Sequence, residues 1–250
     1  MLPTNLLPPD KVKFKNVAWF IGLDPAVKVD NFGIVVHGLF PKPNGDTMWN
    51  PFIREVFEID HDNFTEIISW IQNYLFQYFP PRYAIIDATR DTPTAEEMEA
   101  KYGDTRVKAM TMTNSINYEL KQNAYQFLEQ GYAFPNTAIM KDKIKARNIA
   151  ELQVQALHER IIWTEDNRPK FTHPPGKHND LDRAWEMSLK AVRDFQLGRI
   201  GIRVDKVYDE YKEQEIPDYE DTDPYAYENI SSFNIPFLNE DEPRGTFAIP

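Results

Sequence analysis

The chain of 250 residues contains no cysteine. Disulfides, thiol nucleophiles and thiolate metal sites are thereby excluded, and the composition suits a reducing compartment. No run of eighteen apolar residues occurs, so no segment reads as a membrane span. The opening MLPTNLLPPDKVKFK lacks the charged start and long apolar centre of a secretory signal and is broken by prolines. No GxxxxGK[ST] phosphate loop occurs, so these residues encode no P-loop nucleotide motor.

What is present is enough for a core: 42% of residues are hydrophobic and 13% aromatic, sufficient for one large domain or one domain with appendages. The net charge of −11 is unevenly spread. Residues 204–250 hold 13 acids against 3 bases, so the tail carries −10 and the rest of the chain only −1. The near-neutral body is compatible with a polyanionic partner. Residues 1–16, with Pro3, Pro8, Pro9 and alternating Lys11, Lys13 and Lys15, read as a leader or linker. Residues 17–203 read as the folded domain. The Tyr-, Pro- and acid-rich 204–250 reads as a tail that is extended or disordered when alone.

The folded part is organised around VAWFIGLDP, residues 17–25. An unrelieved apolar run of this length, with a Pro at its exit, predicts a strand buried on both faces that ends in Asp24. GIVVHGLF (33–40) predicts a second strand, PKPNGD (41–46) a tight turn through Asn-Gly, and WNPFIREVFEI (49–59) a third strand. Three strands on short turns make an antiparallel meander. FTEIISWIQNYLFQYF (64–79) then has Phe64, Ile67, Ile68, Ile71, Leu75 and Phe79 at helical spacing, with Asp60 or Asp62 as its cap and Pro80-Pro81 as its stop. RYAIIDA (82–88) predicts a fourth strand, which again ends in an aspartate, Asp87. A strand reached through a crossover helix pairs parallel to its sheet.

Thr92-Pro93 is the expected N-cap and first residue of a short helix closed by Gly103. RVKAMTMT (106–113) predicts a fifth strand, and helices are expected over about 115–130 and 143–158. IIW and PKFTH flank EDNR as a hairpin, and HPPGKHND leads into a long helix, LDRAWEMSLKAVRDF. The order β-β-β-α-β-α-β-α-α-(β-β)-α is that of the ribonuclease H fold. It implies an α/β domain with a mixed sheet of five or more strands, the first three antiparallel, and helices on both faces.

In that topology the first and fourth strands are neighbours, so Asp24 and Asp87 lie side by side, and Asp180 reaches them if the last helix crosses the sheet. Three ionised carboxylates stay together only with cations between them. Oxygen ligands alone select magnesium or manganese, and two such ions about 3.5–4 Å apart suit in-line phosphodiester hydrolysis. Each aspartate is then a ligand and not the nucleophile. Taken singly, each also reads as a turn or helix cap. Asp182 competes for the third position but lies roughly 200° around the helix from Asp180. Asp30 reads as a turn residue. His178 and His173 flank the third acid and could touch phosphate or water. Lys141, Lys143, Lys145 and Arg147, with Arg168, Lys170 and Lys177, form basic clusters suited to phosphate contacts. Trp19, Trp70 and Trp185 read as core.

IGLDPAVKVDNFGIVVHG (21–38), YAIIDATR (83–90) and GKHNDLDRAWEMSLKAV (176–192) resemble the nuclease domain of viral terminase large subunits, and NYELKQNAYQFLEQGYAFP (117–135) is similar to the segment before that family's last acidic motif. The resemblance spans about residues 17–198. It implies a metal-dependent endonuclease that cuts concatemeric viral double-stranded DNA during genome packaging, with Mg²⁺ or Mn²⁺, two per site. It also implies a terminase ATPase motor, a portal and a small terminase subunit as partners, and the cytoplasm of an infected host cell as the location, with no membrane and no secretion. Two departures stand out. The family's usual His-Asp-Asp reads His178-Asn179-Asp180 here, so Asn179 could ligate through its carbonyl oxygen but brings no charge. The family's ATPase motor is missing, which implies a separated or excised nuclease domain. The acidic tail falls where such proteins engage the portal. A Holliday-junction resolvase-like nuclease and a catalytically weakened DNA-binding module of the same fold are the alternatives.

Overall fold

The structure is a computed structural model and describes residues 17–25, 31–40, 51–59, 64–89, 91–158, 160–163, 169–172 and 179–200. The leader 1–16, the Asn-Gly turn, Asp30, Asp60, Asp62, His173 and the tail 204–250 lie outside them.

Five strands form one sheet in the order β3-β2-β1-β4-β5. Strand β1 (Ala18–Asp24) is central. It pairs antiparallel with β2 (Phe32–Leu39), which pairs antiparallel with β3 (Phe52–Ile59). On its other side β1 pairs parallel with β4 (Pro81–Asp87), and β4 pairs parallel with β5 (Val107–Met110). This is the mixed sheet of a ribonuclease H-like domain, with the first three strands antiparallel as the element order implies. Strands β1, β2 and β4 are almost wholly buried, which explains their apolar runs without alternation.

Alternate residues of these strands serve two cores. Trp19, Ile21, Leu23, Ile34, Val36, Ala84 and Ile86 pack against one helical layer. That layer holds α1 (Phe64–Trp70), a π-helical turn (Ile71–Leu75), α2 (Phe76–Tyr78) and α3 (Thr92–Tyr102). Phe20, Val35, Tyr83 and Ile85 face the opposite layer. Here lie α4 (Asn114–Glu129), α5 (Lys143–His158) and α6 (Asp180–Gln196). Trp19, Trp70 and Trp185 are all in the core. A separate antiparallel pair, β6 (Arg160–Trp163) with β7 (Pro169–Thr172), is the expected hairpin.

Three local expectations shift. The helix expected over 64–79 is interrupted by the π turn, where the Phe76 N–H donates to Ile71 O. The widened turn lets Phe76 join Leu75 and Phe79 in the core, while Phe64 is only half-buried. Asp91, not Thr92, caps α3: its side chain accepts from Thr94 N at 3.4 Å, and the Thr92 hydroxyl instead donates to Ala88 O at 2.7 Å. Strand β5 is half the length expected. As an edge strand it directs Val107 N to Gly103 O (2.9 Å) and Ala109 N to Glu99 Oε2 (2.6 Å), which blunts further strand pairing there.

Helix α6 is the element that brings Asp180 to the sheet. It lies directly on β1 and β2 because two strand residues have no side chain. A methyl group on Gly22 would collide with the Ala184 carbonyl, and one on Gly33 with the Asp180 carbonyl. Gly22 and Gly33 therefore set the helix's height above the sheet, and Gly33 sets the position of its first residue.

Candidate acidic centre at the strand ends

The parallel pairing of β1 with β4 matches Leu23 with Ile86. The next residue on each strand is Asp24 and Asp87, on backbones about 4.8 Å apart and pointing to the same face. The antiparallel pairing of β1 with β2 matches Asp24 with Gly33, the glycine over which the Asp180 backbone sits. The backbones of three residues remote in sequence thus come to one corner of the sheet, on the α6 face. Asp24 and Asp87 are half-buried, and Asp180 is 6% exposed.

Two of the carboxylates are held by backbone amides. Asp87 Oδ1 accepts from Thr89 N at 2.7 Å, an Asx-type turn that orients it at the strand's exit. Asp180 Oδ2 accepts from Asn31 N at 3.1 Å, which ties the start of α6 to the residue before β2. Among the described residues, no three His, Cys, Asp or Glu side chains gather as a ligand set for an ion. The register brings the strand ends together, with Asp87 and Asp180 each bound to a backbone amide. The donor chemistry nevertheless fits a hard divalent cation: Asp24, Asp87, Asp180 and the Asn179 side chain offer oxygens from three adjacent backbone segments.

Asp182 has a different setting. It is 1% exposed, and its Oδ2 accepts from Lys121 Nζ of α4 at 2.7 Å. The same ammonium pairs with Glu186, one turn further along α6, and Glu186 also accepts from Arg183 at 3.1 Å. Asp182 is therefore engaged in a buried charge cluster between α4 and α6, with its charge met by a lysine.

Of the basic residues, Lys143 and Arg147 are exposed on α5, and Lys143 Nζ donates to Met140 O at 3.2 Å. Lys141 is exposed beside them. Lys145 is drawn in to Glu55 of β3 at 3.5 Å. Burial lowers its pKa and raises that of Glu55, each opposed by the partner's charge. Arg168, Lys177 and His178 lie outside the described residues, as does the side chain of Lys170.

The chain is similar to phage large terminase nucleases. The solved large terminase nuclease of thermophilic phage G20c matches at 15% identity and a TM-score of 0.49, over 70% of this chain and 82% of that one. The Thermus phage P74-26 large terminase nuclease domain matches at 16% and 0.48, over 69% and 78%. The large terminase nuclease domain of bacteriophage SPP1, solved with bound manganese, matches at 10% and 0.45, over 76% and 93%. No family model and no curated protein matches the chain. At these identities no residue's role transfers, and the fold assignment stands on the strand order and register above.

Behind the aspartates, α6 is locked to β2 by a buried polar chain that sequence reasoning missed. The Ser188 hydroxyl donates to Trp185 O (2.7 Å), so it accepts from His37 Nδ1–H (2.8 Å). His37 Nε2 then accepts from Tyr132 Oη–H (2.8 Å), and Tyr132 Oη accepts from Trp185 Nε1–H (3.0 Å). Burial lowers the His37 pKa to about 3 and raises that of Tyr132, so both stay neutral. Also missed were Lys121, Glu186 and Gln155. The i, i+4 spacing of Asp182 and Glu186 was the available signal for a shared charged face.

Proposed function

We propose that this chain is a divalent-metal-dependent endonuclease that cuts concatemeric viral double-stranded DNA during genome packaging. It would work in the infected host cell with a terminase ATPase motor, a portal and a small subunit. The observation that carries this reading is the register: Asp24 and Asp87 end adjacent parallel strands, and Asp180 starts the helix packed on Gly33, the partner of Asp24. The quoted sequence motifs support it independently.

In this reading Asp24 and Asp87 hold Mg²⁺ or Mn²⁺ from the sheet and Asp180 from the helix, with Asn179 as a neutral oxygen donor. Asp182 supports the helix through Lys121. Bound divalent ions, two per site, supply charge neutralisation at the scissile phosphate and acidify the attacking water. The three carboxylates neither attack nor protonate the substrate. Their place at the strands' exit, rather than beneath α6, leaves the reacting phosphate accessible from outside the sheet. Lys143 and Arg147, with Arg168, Lys170, Lys177 and His178, contact phosphates along the duplex, so binding weakens steeply with salt.

The test is cleavage of supercoiled plasmid with Mn²⁺. Asp24→Asn, Asp87→Asn and Asp180→Asn are each expected to slow cleavage more than about 100-fold, beyond the loss typical of an outer-shell partner, without lowering the melting temperature. Full activity in any one removes that residue from the site. A strong preference for four-way junctions over linear duplex would make the protein a resolvase. DNA binding without any cleavage would make it a binding module.

A further inference from the structure

The residue before α6, Asn179, is of a type that normally caps a helix, yet its side chain makes no capping hydrogen bond. The cap comes from another helix. Gln155 of α5 is 3% exposed, and its Oε1 accepts from Leu181 N at 2.9 Å and from Asp182 N at 3.3 Å. These are the second and third residues of α6, whose amides an N-cap side chain ordinarily takes. The other end of the same amide is anchored too: Gln155 Nε2 donates to Glu58 Oε1 of β3 at 3.5 Å. A rigid side chain from a neighbouring helix, itself tied to the sheet, therefore holds the first turn of the helix that presents Asp180.

We infer that Gln155 is a positioning residue for the acidic centre: it caps α6 in place of Asn179, pins Asp180 over Gly33, and leaves the Asn179 oxygen available to a metal ion. This rests on the endonuclease reading above. The geometry supports a positional role more than a merely stabilising one. Asp180 is held from two sides, by Asn31 N on its carboxylate and by Gln155 on the two amides that follow it. If Asn179 took over the cap, its side-chain oxygen would turn inward onto Leu181 N or Asp182 N and away from the strand ends.

The experiment compares the wild type with Gln155→Met, which keeps length and apolar bulk but has no acceptor. The control is the double variant Gln155→Glu with Glu58→Gln, which preserves both hydrogen bonds and the net charge. Mn²⁺ binding is read by electron paramagnetic resonance, and exchange of the Leu181 and Asp182 amides by hydrogen exchange. Q155M is expected to weaken Mn²⁺ binding by about 10-fold, the scale of losing an outer-shell partner. It should speed exchange at those two amides about tenfold, the loss of one ordinary hydrogen bond. The double variant should restore both to within about twofold of the wild type. Unchanged Mn²⁺ affinity in Q155M, with faster exchange or a lowered melting temperature alone, would leave Gln155 a structural cap and overturn the inference. A wild type that binds no Mn²⁺ would overturn the metal reading itself, and this inference with it, whatever Q155M does.

Discussion

The two faces of the central sheet are packed on different terms. Against α1–α3 the strands present Trp19, Ile21, Leu23, Ile34, Val36 and Ile86, and the contact is almost wholly apolar. Against α6 the same strands present Phe20, Val35 and Ile85 but also Gly22, Gly33 and His37, then Asp24 and Asp87 at their ends. The first face tolerates repacking, since any apolar set of the right volume fills it. The second depends on individual atoms: a missing methyl, one tautomer, one buried ammonium. The face that carries the aspartates is the one where specific polar devices are added to generic burial, and it should be the more fragile.

The sharpest break of that contrast is Lys121→Met. It leaves Asp182 and Glu186 buried with less cationic compensation, an expected loss of about 3–5 kcal/mol in urea unfolding. A loss under 1 kcal/mol would mean that the cluster between α4 and α6 is solvated. Next comes Gly22→Ala, which drives a methyl into the Ala184 carbonyl and should cost about 3 kcal/mol by overpacking. Its neighbour on the opposite face, Ile21→Val, should cost only about 1 kcal/mol. Equal losses for the two would erase the distinction between the faces.

The last effect is a pH slope. His37 is neutral in the folded protein with a pKa lowered from 6.5 to about 3. The unfolded chain therefore binds a proton that the folded chain refuses. The stability due to neutral His37 is full above about pH 6.5 and is lost as pH falls toward 3, at about 1.4 kcal/mol per pH unit. His37→Gln should flatten the stability curve by that slope between pH 6 and 4, measured as the difference between the two proteins' urea midpoints. An identical slope in both would show that His37 takes up a proton within the fold.

Much of this was legible in the residues. Strands β1, β2 and β4 are apolar runs bounded by turn residues, and a buried strand leaves little other choice. That Asp24 and Asp87 end such runs is a local fact. Their adjacency followed from the strand order. The π turn was less legible, because periodicity alone does not reveal an extra residue when both registers place Ile71 and Leu75 inside. Asp91 outcompeted Thr92 as a cap because the threonine hydroxyl found Ala88 O. Gln155 and Lys121 carried no signal at all. Each looks like an ordinary helix-surface residue until a second helix, distant in sequence, covers it.

The order and burial of the strands, and the aspartates at their exits, came from short-range pattern, because alternation, apolar runs and turn chemistry act within a few residues. The pairing of Gln155 with the start of α6, the neutralisation of Asp182 by Lys121, and the fit of Asp180 over Gly33 were decided by tertiary structure. Those contacts join segments from 26 to 149 residues apart, as Gln155 with Leu181 and Asn31 with Asp180 mark the extremes. No local rule selects such partners, and only close packing of the helices on the sheet brings them within hydrogen-bonding reach.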